Sequence, residues 1–343
     1  MVGSRVAATM ALVASLPACV GLLSMTVEVG GRDATVEFGG GDDAARLEAI
    51  AYDFMVAEGI PEQVGADGQA CKSSCVVRYL AEAMAAKQDE ADAASRLYAE
   101  QSQRVYDDLA SRHAMEADGT VTADVVVGLG TFYELNAWPD MALLWEGLDE
   151  HATRAMVALD FGTGPGRNIE KWHGRFARVD GVDIAKTNLE NANRYLRATG
   201  VEDYRLYHCD GRDLANVPSG FYDVVFSTIV MQHITFHSIR YHLFEEFYRV
   251  LRCGGRISKQ MGFGPSVVDP PQSVDYHNNR RIADAYNARV EDPDDLRRDL
   301  EAIGYVDFRY RIRPSGPGSE RFAGQWIFFQ ATKPRFAPGC PTY

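Results

Sequence analysis

Asp160 is followed by the run F-G-T-G-P-G, which puts Gly162, Gly164 and Gly166 at alternate positions of one short loop. Glycines so spaced let a backbone turn tightly and approach a ligand, and a helix opening there offers unpaired N–H groups to the ligand's polar end. A second acid, Asp183, comes 23 residues after Asp160. That distance fits one strand–helix–strand unit, and an acid there can accept both hydroxyls of a ribose. A third, Asp210, closes the next apolar stretch and precedes Gly211. His233, in M-Q-H-I, is a candidate to take a proton from a hydroxyl or ammonium nucleophile, and His237 lies one helical turn further on.

These residues need elements that bring them together. A-M-V-A-L-D-F reads as a strand that runs through the glycine loop into the helix I-E-K-W-H. F-A-R-V-D-G-V-D-I is a second strand ending at Asp183, followed by a helix that Gly200 closes; Y-R-L-Y-H-C-D-G is a third, ending at Asp210. F-Y-D-V-V-F-S-T is a fourth strand, S-I-R-Y-H-L-F-E-E-F-Y-R-V-L a helix, and R-C-G-G-R-I-S-K-Q-M-G-F a fifth strand. Parallel strands bury both faces and place ligands beyond their carboxyl ends, so three acids at three successive strand ends would face one site. Each acid also has a plainer reading, Asp183 as a helix cap and Asp210 as a turn residue. A nicotinamide dinucleotide would suit the glycines and the acid. However, its loop reads G-x-G-x-x-G, whereas here the third glycine comes one place early and position 167 is Arg.

The D-F-G-T-G-P-G loop, the acid of G-V-D-I, the C-D-G, the run D-V-V-F-S-T-I-V-M-Q-H-I and the turn L-R-C-G-G-R together resemble the class I S-adenosylmethionine-dependent methyltransferases, over residues from about 130 to 335. The resemblance implies a Rossmann-like α/β fold, a seven-stranded sheet with helices on both faces whose last strand is inserted antiparallel. The pair Y-V-D-F-R-Y-R-I-R and R-F-A-G-Q-W-I-F-F-Q-A-T-K reads as that final hairpin. It implies S-adenosyl-L-methionine as cofactor, with Gly162, Thr163, Gly164 and Gly166 lining the methionine portion and Asp160 beneath its ammonium. It also implies Asp183 at the ribose, Ile184 among the cofactor-binding residues, Asp210 and Gly211 beside the adenine, and Ser227, Thr228 and Met231 at the pocket edge. His233 is the catalytic candidate; residues at its place often only shape the cofactor pocket.

The chain of 343 residues carries 48 acidic against 35 basic groups, a net charge of −13 that disfavours a general nucleic-acid binder. Residues 1–150 hold 9 basic and 25 acidic groups and residues 151–343 hold 26 and 23, so the halves differ in kind. We therefore expect a signal or anchor segment over 1–25, a ββα accessory module over 26–70, a helical cap or linker over 71–150, the catalytic domain over 151–335 and a tail over 336–343. The uncharged run 6–27 is the ground for membrane contact or targeting. Since the donor is made and used inside cells, an intracellular catalytic domain is expected. M-T-V-E-V and A-T-V-E-F alternate as a hairpin, and D-D-A-A-R-L-E-A-I-A-Y-D-F-M-V-A-E starts a helix. From Ser73 to Met115 the chain is Ala-rich and helical, and its stripe of Tyr98, Val105, Tyr106, Leu109 and His113 reads as core.

Six cysteines are too few for a disulfide scaffold. Cys71 and Cys75 are one helical turn apart, while Cys19, Cys209, Cys253 and Cys340 are scattered; no metal site is expected. P-S-V-V-D-P-P-Q-S-V-D-Y-H-N-N-R-R, with Tyr276, His277, Arg280 and Arg281, reads as a flexible lid or a solvated loop. Arg309, Arg311 and Arg313 share one strand face and are read as guarding an exposed edge. The function expected is methyl transfer to a small-molecule acceptor. Protein or RNA as acceptor, and a silent member that only binds cofactor or partner, are the alternatives.

Overall fold

The computed structural model describes residues 22–29, 32–39, 42–58, 73–112, 126–127, 130–131, 139–265, 273–279, 287–314, 324–337 and 340. These belong to two compact units, Met1–Arg96 and Leu97–Tyr343.

In the first unit β1 (Leu22–Val29) pairs antiparallel with β2 (Arg32–Gly39). Alternation does the sorting: Ala34, Val36 and Phe38 are buried while Asp33, Thr35 and Glu37 face out. Helix α1 (Ala44–Ala57) starts where the Asp43 carboxylate accepts the Arg46 N–H at 2.8 Å. Its Leu47, Ala51 and Phe54 join Met25, Phe38 and the start of α2 (Ser73–Arg112), through Leu80 and Met84, in a small core. Thus the end of the uncharged run, Leu22 to Val27, is strand, and a boundary at residue 25 falls inside β1. Residues 1–21, Cys71 and the Cys75 side chain lie outside the described part. No helix among the described residues is long and apolar enough to cross a membrane.

The second unit is a parallel sheet built from β5 (Val157–Phe161), β6 (Arg178–Asp183), β7 (Leu206–His208), β8 (Tyr222–Ser227) and β9 (Leu251–Phe263). Two-residue strands β3 (Val126–Val127) and β4 (Gly130–Thr131) pair beforehand, and a 3₁₀ helix over Pro139–Trp145 and a short α3 (Glu150–Thr153) lead into β5. The helices that follow the strands are α4 (Arg167–Trp172), α5 (Lys186–Ala198) and α6 (His237–Val250). After β9 come β10 (Ser273–Val274), β11 (Asn287–Val290), α7 (Pro293–Ile303) and the hairpin β12 (Val306–Pro314) and β13 (Gln325–Thr332). β13 lies antiparallel between β9 and β12, giving the seven-strand order β7-β6-β5-β8-β9-β13-β12. Because β13 holds one edge of β9 over Gly262 and Phe263, β11 must extend the other edge beyond β8, with β10 outside it.

Both faces of the central strands are buried. Leu159, Val225 and Ile257 point toward α6 and α7, and Ala158, Val224 and Phe226 toward the Trp145 side. Although far apart in sequence, Cys253 and Cys340 form a disulfide, with Cα atoms 5.9 Å apart and a sequence separation of 87. Cys209 is buried and free.

Candidate active site

The glycine loop leaves β5 at Phe161. Gly162 and Thr163 donate to the Val182 carbonyl at 2.8 and 3.0 Å, which ties the loop to β6. Gly162, at φ +73°, has no room for a side chain, because a Cβ would lie 2.5 Å from Val230. Gly164, at φ +54°, has nothing within 4 Å of such an atom, so the loop opens onto free space there. Gly166 precedes the first residue of α4.

All three acids stand at strand ends, in different surroundings. Asp160 is fully buried; its Oδ1 accepts from Asn168 Nδ2 at 3.2 Å, and its Oδ2 has no hydrogen-bond partner among the described residues. Burial pushes its carboxyl up to about 6, against the pull of the Asn168 hydrogen bond, the nearby Thr163 hydroxyl and the Arg167 and Lys259 charges. Lys259 is itself fully buried, with Nζ 3.7 Å from the Phe247 ring centre, and burial holds it well below an ordinary lysine.

Asp183 is buried and much engaged. Its Oδ2 accepts the Gly164 N–H at 2.8 Å; its Oδ1 accepts from Ala185 N at 2.8 Å and Asn188 Nδ2 at 3.3 Å. Desolvation raises its carboxyl and these hydrogen bonds oppose the rise. It therefore organises the turn into α5 as well as facing the glycine loop. Asp210 is half exposed, and its Oδ1 caps the following turn by accepting from Arg212 and Asp213 N–H at 2.8 and 3.1 Å. Ile184 fills the space above Gly211, where a Cβ would meet it at 2.5 Å.

Beyond β8, Ser227 is buried with its hydroxyl unpartnered among the described residues, and Thr228 Oγ1 accepts from Asn168 at 3.2 Å. Asn168 thus joins Asp160 to Thr228. Ile229 has φ +57°, an outlier for a β-branched residue worth roughly 1–3 kcal/mol of strain. Met231 is fully buried in a 3₁₀ turn, Met231–His233.

Helix α2 supplies residues that sequence reasoning assigned to core packing. Tyr98 Oη donates to the His233 carbonyl at 2.7 Å and accepts from Thr235 N at 2.9 Å. The Tyr106 ring meets the His233 ring edge-on, 6.3 Å between centres, and its phenol is raised by burial and by the charges of Tyr98 and Asp183. Asp107 accepts the Thr187 N–H at 3.1 Å, and Gln103 lies 3.2 Å from His208. Val105 and Leu109, by contrast, are 54% and 43% exposed, so that stripe is not one core face. His113 lies outside the described residues.

The segment read as a flexible lid is tied down over residues 273–279. Tyr276 donates to Asp299 Oδ2 at 2.6 Å, His237 shares that oxygen at 2.8 Å, and Asn278 Nδ2 holds the Thr235 carbonyl at 3.0 Å. Arg280 and Arg281 lie outside the described residues. In the arginine row, Arg311 donates to Glu146 Oε1 at 2.6 Å.

Residues 159–258 match the model of a family described as a methyltransferase domain. Among solved structures, the YcgJ protein from Bacillus subtilis is 17% identical, the likeness covering 53% of this chain and 93% of that one at a TM-score of 0.39. Haemonchus contortus phosphoethanolamine N-methyltransferase 2, in complex with S-adenosyl-L-methionine, is 19% identical, with 62% of this chain and 54% of that chain covered at a TM-score of 0.44. A Methanosarcina mazei S-adenosylmethionine-dependent methyltransferase is 15% identical, with 54% and 96% covered at a TM-score of 0.43. No curated protein matches the chain in sequence. Residues 159–258 are a methyltransferase domain, and S-adenosylmethionine is the donor that such a domain draws on.

Proposed function

We propose that the methyl group goes to a small-molecule acceptor held beside the turn after β8, on a side that helix α2 closes. The carrying observation is the pair of tyrosines: Tyr98 hydrogen-bonds this turn and the Tyr106 ring meets the His233 ring edge-on. A site roofed by a helix suits a compact acceptor better than a folded macromolecule.

The residues present fit the donor. The unpartnered, buried Asp160 Oδ2 is suited to an ammonium, and the open space beside Gly164 gives a ligand close access to backbone. Gly162, Thr163, Gly164 and Gly166 would line its methionine portion, and Ile184, Asp210 and Gly211 its adenine side. Ser227, Thr228 and Met231 would edge the pocket. A carboxylate has about four acceptor sites, and at Asp183 three N–H groups already occupy sites. One ribose hydroxyl would take the remaining place and a second would displace Asn188, the longest of the three.

When bound, the donor supplies an electrophilic methyl on a sulfonium, so the chain's task is alignment in a dry pocket. Tyr98 and Asn168 hold the turn, Asp160 would hold the donor's ammonium and Asp183 its ribose, and His233 is the candidate to take an acceptor proton. Incubating the protein with donor and a metabolite extract, then searching by mass spectrometry for species that gain one methyl, tests the reading. A gain on small molecules supports it; a gain confined to peptides or RNA overturns it.

We place this domain inside the cell, with residues 6–21 as a targeting or membrane-contact segment. The Cys253–Cys340 bridge favours an oxidising compartment, and an organelle reconciles bridge and donor supply. Fractionating cells that make the full chain checks this; recovery only in the medium would refute it.

A further inference from the structure

Ile229 adopts φ +57°, and its N–H donates to the side-chain oxygen of Gln260 on β9 at 2.7 Å. The left-handed residue determines where the chain goes next. Val230 is turned onto the glycine loop, its two methyls 2.5 and 2.6 Å from where a Gly162 Cβ would stand, and the Met231–His233 turn begins immediately after. Loop and turn are therefore interlocked through a conformation that isoleucine does not favour by itself. Among the described residues, Gln260 is the side chain that bonds the strained residue.

Gln260 is fully buried, and its Nε2 has no hydrogen-bond partner among the described residues. A side chain needed only to fill that volume would be better as methionine, which leaves no buried donor unmet. We propose that Gln260 is a positioning residue of the methyl-transfer site: its amide oxygen holds Ile229 left-handed and so sets Val230 and the His233 turn against the glycine loop. This rests on the donor site proposed above.

The test uses the full chain, S-adenosylhomocysteine binding by calorimetry, and hydrogen exchange of the Ile229 amide without ligand. Gln260→Met is expected to weaken binding tenfold or more. In an Ile229→Gly background, where glycine takes the left-handed state unaided, the same change should cost less than twofold. Equal costs in both backgrounds would mean that Gln260 acts through packing, and no cost in the wild-type background would mean that it does not act on the site; either overturns the proposal. Ile229→Gly alone should bind within threefold of wild type, and a tenfold loss there would also overturn it, which keeps the proposal exposed should Gln260→Met not fold. If the unaltered protein does not bind S-adenosylhomocysteine, the donor-site reading fails. Exchange still decides about Gln260: the Ile229 amide should exchange at least tenfold faster in Gln260→Met with the other β9 amides unchanged, and an unchanged rate refutes it.

Discussion

The Tyr98 hydroxyl and the His233 carbonyl oxygen lie 2.7 Å apart although 135 residues separate them in sequence. The same hydroxyl accepts from Thr235 N, so one phenol satisfies two backbone groups of a turn that has little regular structure of its own. Tyr98→Phe should therefore cost about 1–2 kcal/mol of stability, by leaving a buried donor and acceptor unmet. Thermal unfolding gives the magnitude. Faster exchange at Thr235, with β5 and β6 unchanged, would locate the effect at the turn.

Asp160 gives a pH dependence whose sign can be worked out. Its carboxyl is raised to about 6 in the folded chain, above its ordinary value of 3.8. Its contribution to the ligand-free protein's stability is thus complete below about pH 4 and lost as pH rises through about 6. Donor binding runs the other way, since an ammonium needs the ionised carboxylate. S-adenosylhomocysteine affinity should fall as pH drops below about 6, and Asp160→Asn should remove that fall while weakening binding at neutral pH roughly 10- to 100-fold. Calorimetry at pH 5 and 7.5 on both proteins checks this; an unchanged fall in the variant assigns it to another group.

Asp183→Ala should weaken both binding and folding. The carboxylate accepts three N–H groups of its own chain, so its removal should cost about 1–3 kcal/mol of stability beside the affinity lost at the ribose. A lowered melting point with unchanged S-adenosylhomocysteine affinity would leave Asp183 as an organiser of the turn into α5 and nothing more.

His233→Ala should lower turnover less than tenfold once the acceptor is known, because the backbone of His233, held by Tyr98, positions the turn whatever the side chain. A fall of about 10²-fold at unchanged donor affinity would make the imidazole the proton acceptor.

Cys340→Ser should destabilise the protein by up to about 4–5 kcal/mol, the chain-entropy value for a closed loop of this size. Unfolding with and without reductant reads the same quantity on the unaltered chain. A melting point indifferent to both would show that the tail folds back unaided.

What was legible in the sequence is what repeats. Asp160 ends an apolar run that a buried strand explains, Asp183 and Asp210 end strand patterns of mixed polarity, and each of the three precedes a turn, so strand ends and candidate ligand positions could be read together. The final hairpin was legible from its alternating pattern, while its antiparallel insertion came from the resemblance to the methyltransferase sheet. Tyr98 and Tyr106 were not, because helical spacing shows that residues share a face without showing what that face meets. Asn168 and Gln260 are single amides in elements whose pattern is otherwise apolar or charged, and nothing local marks them. Cys253 and Cys340 carry no spacing rule across 87 residues, and residues 273–279 are proline-flanked and polar yet pinned by a tyrosine and an asparagine.

The Cys253–Cys340 bridge also changes what a broken chain would be. It closes a covalent ring containing most of β9 and all of β10, β11, α7, β12 and β13. A single peptide bond cut within that ring leaves both pieces attached to one another. A molecule nicked by a protease between residues 254 and 339 would therefore migrate as one species until a thiol is added, then separate into two.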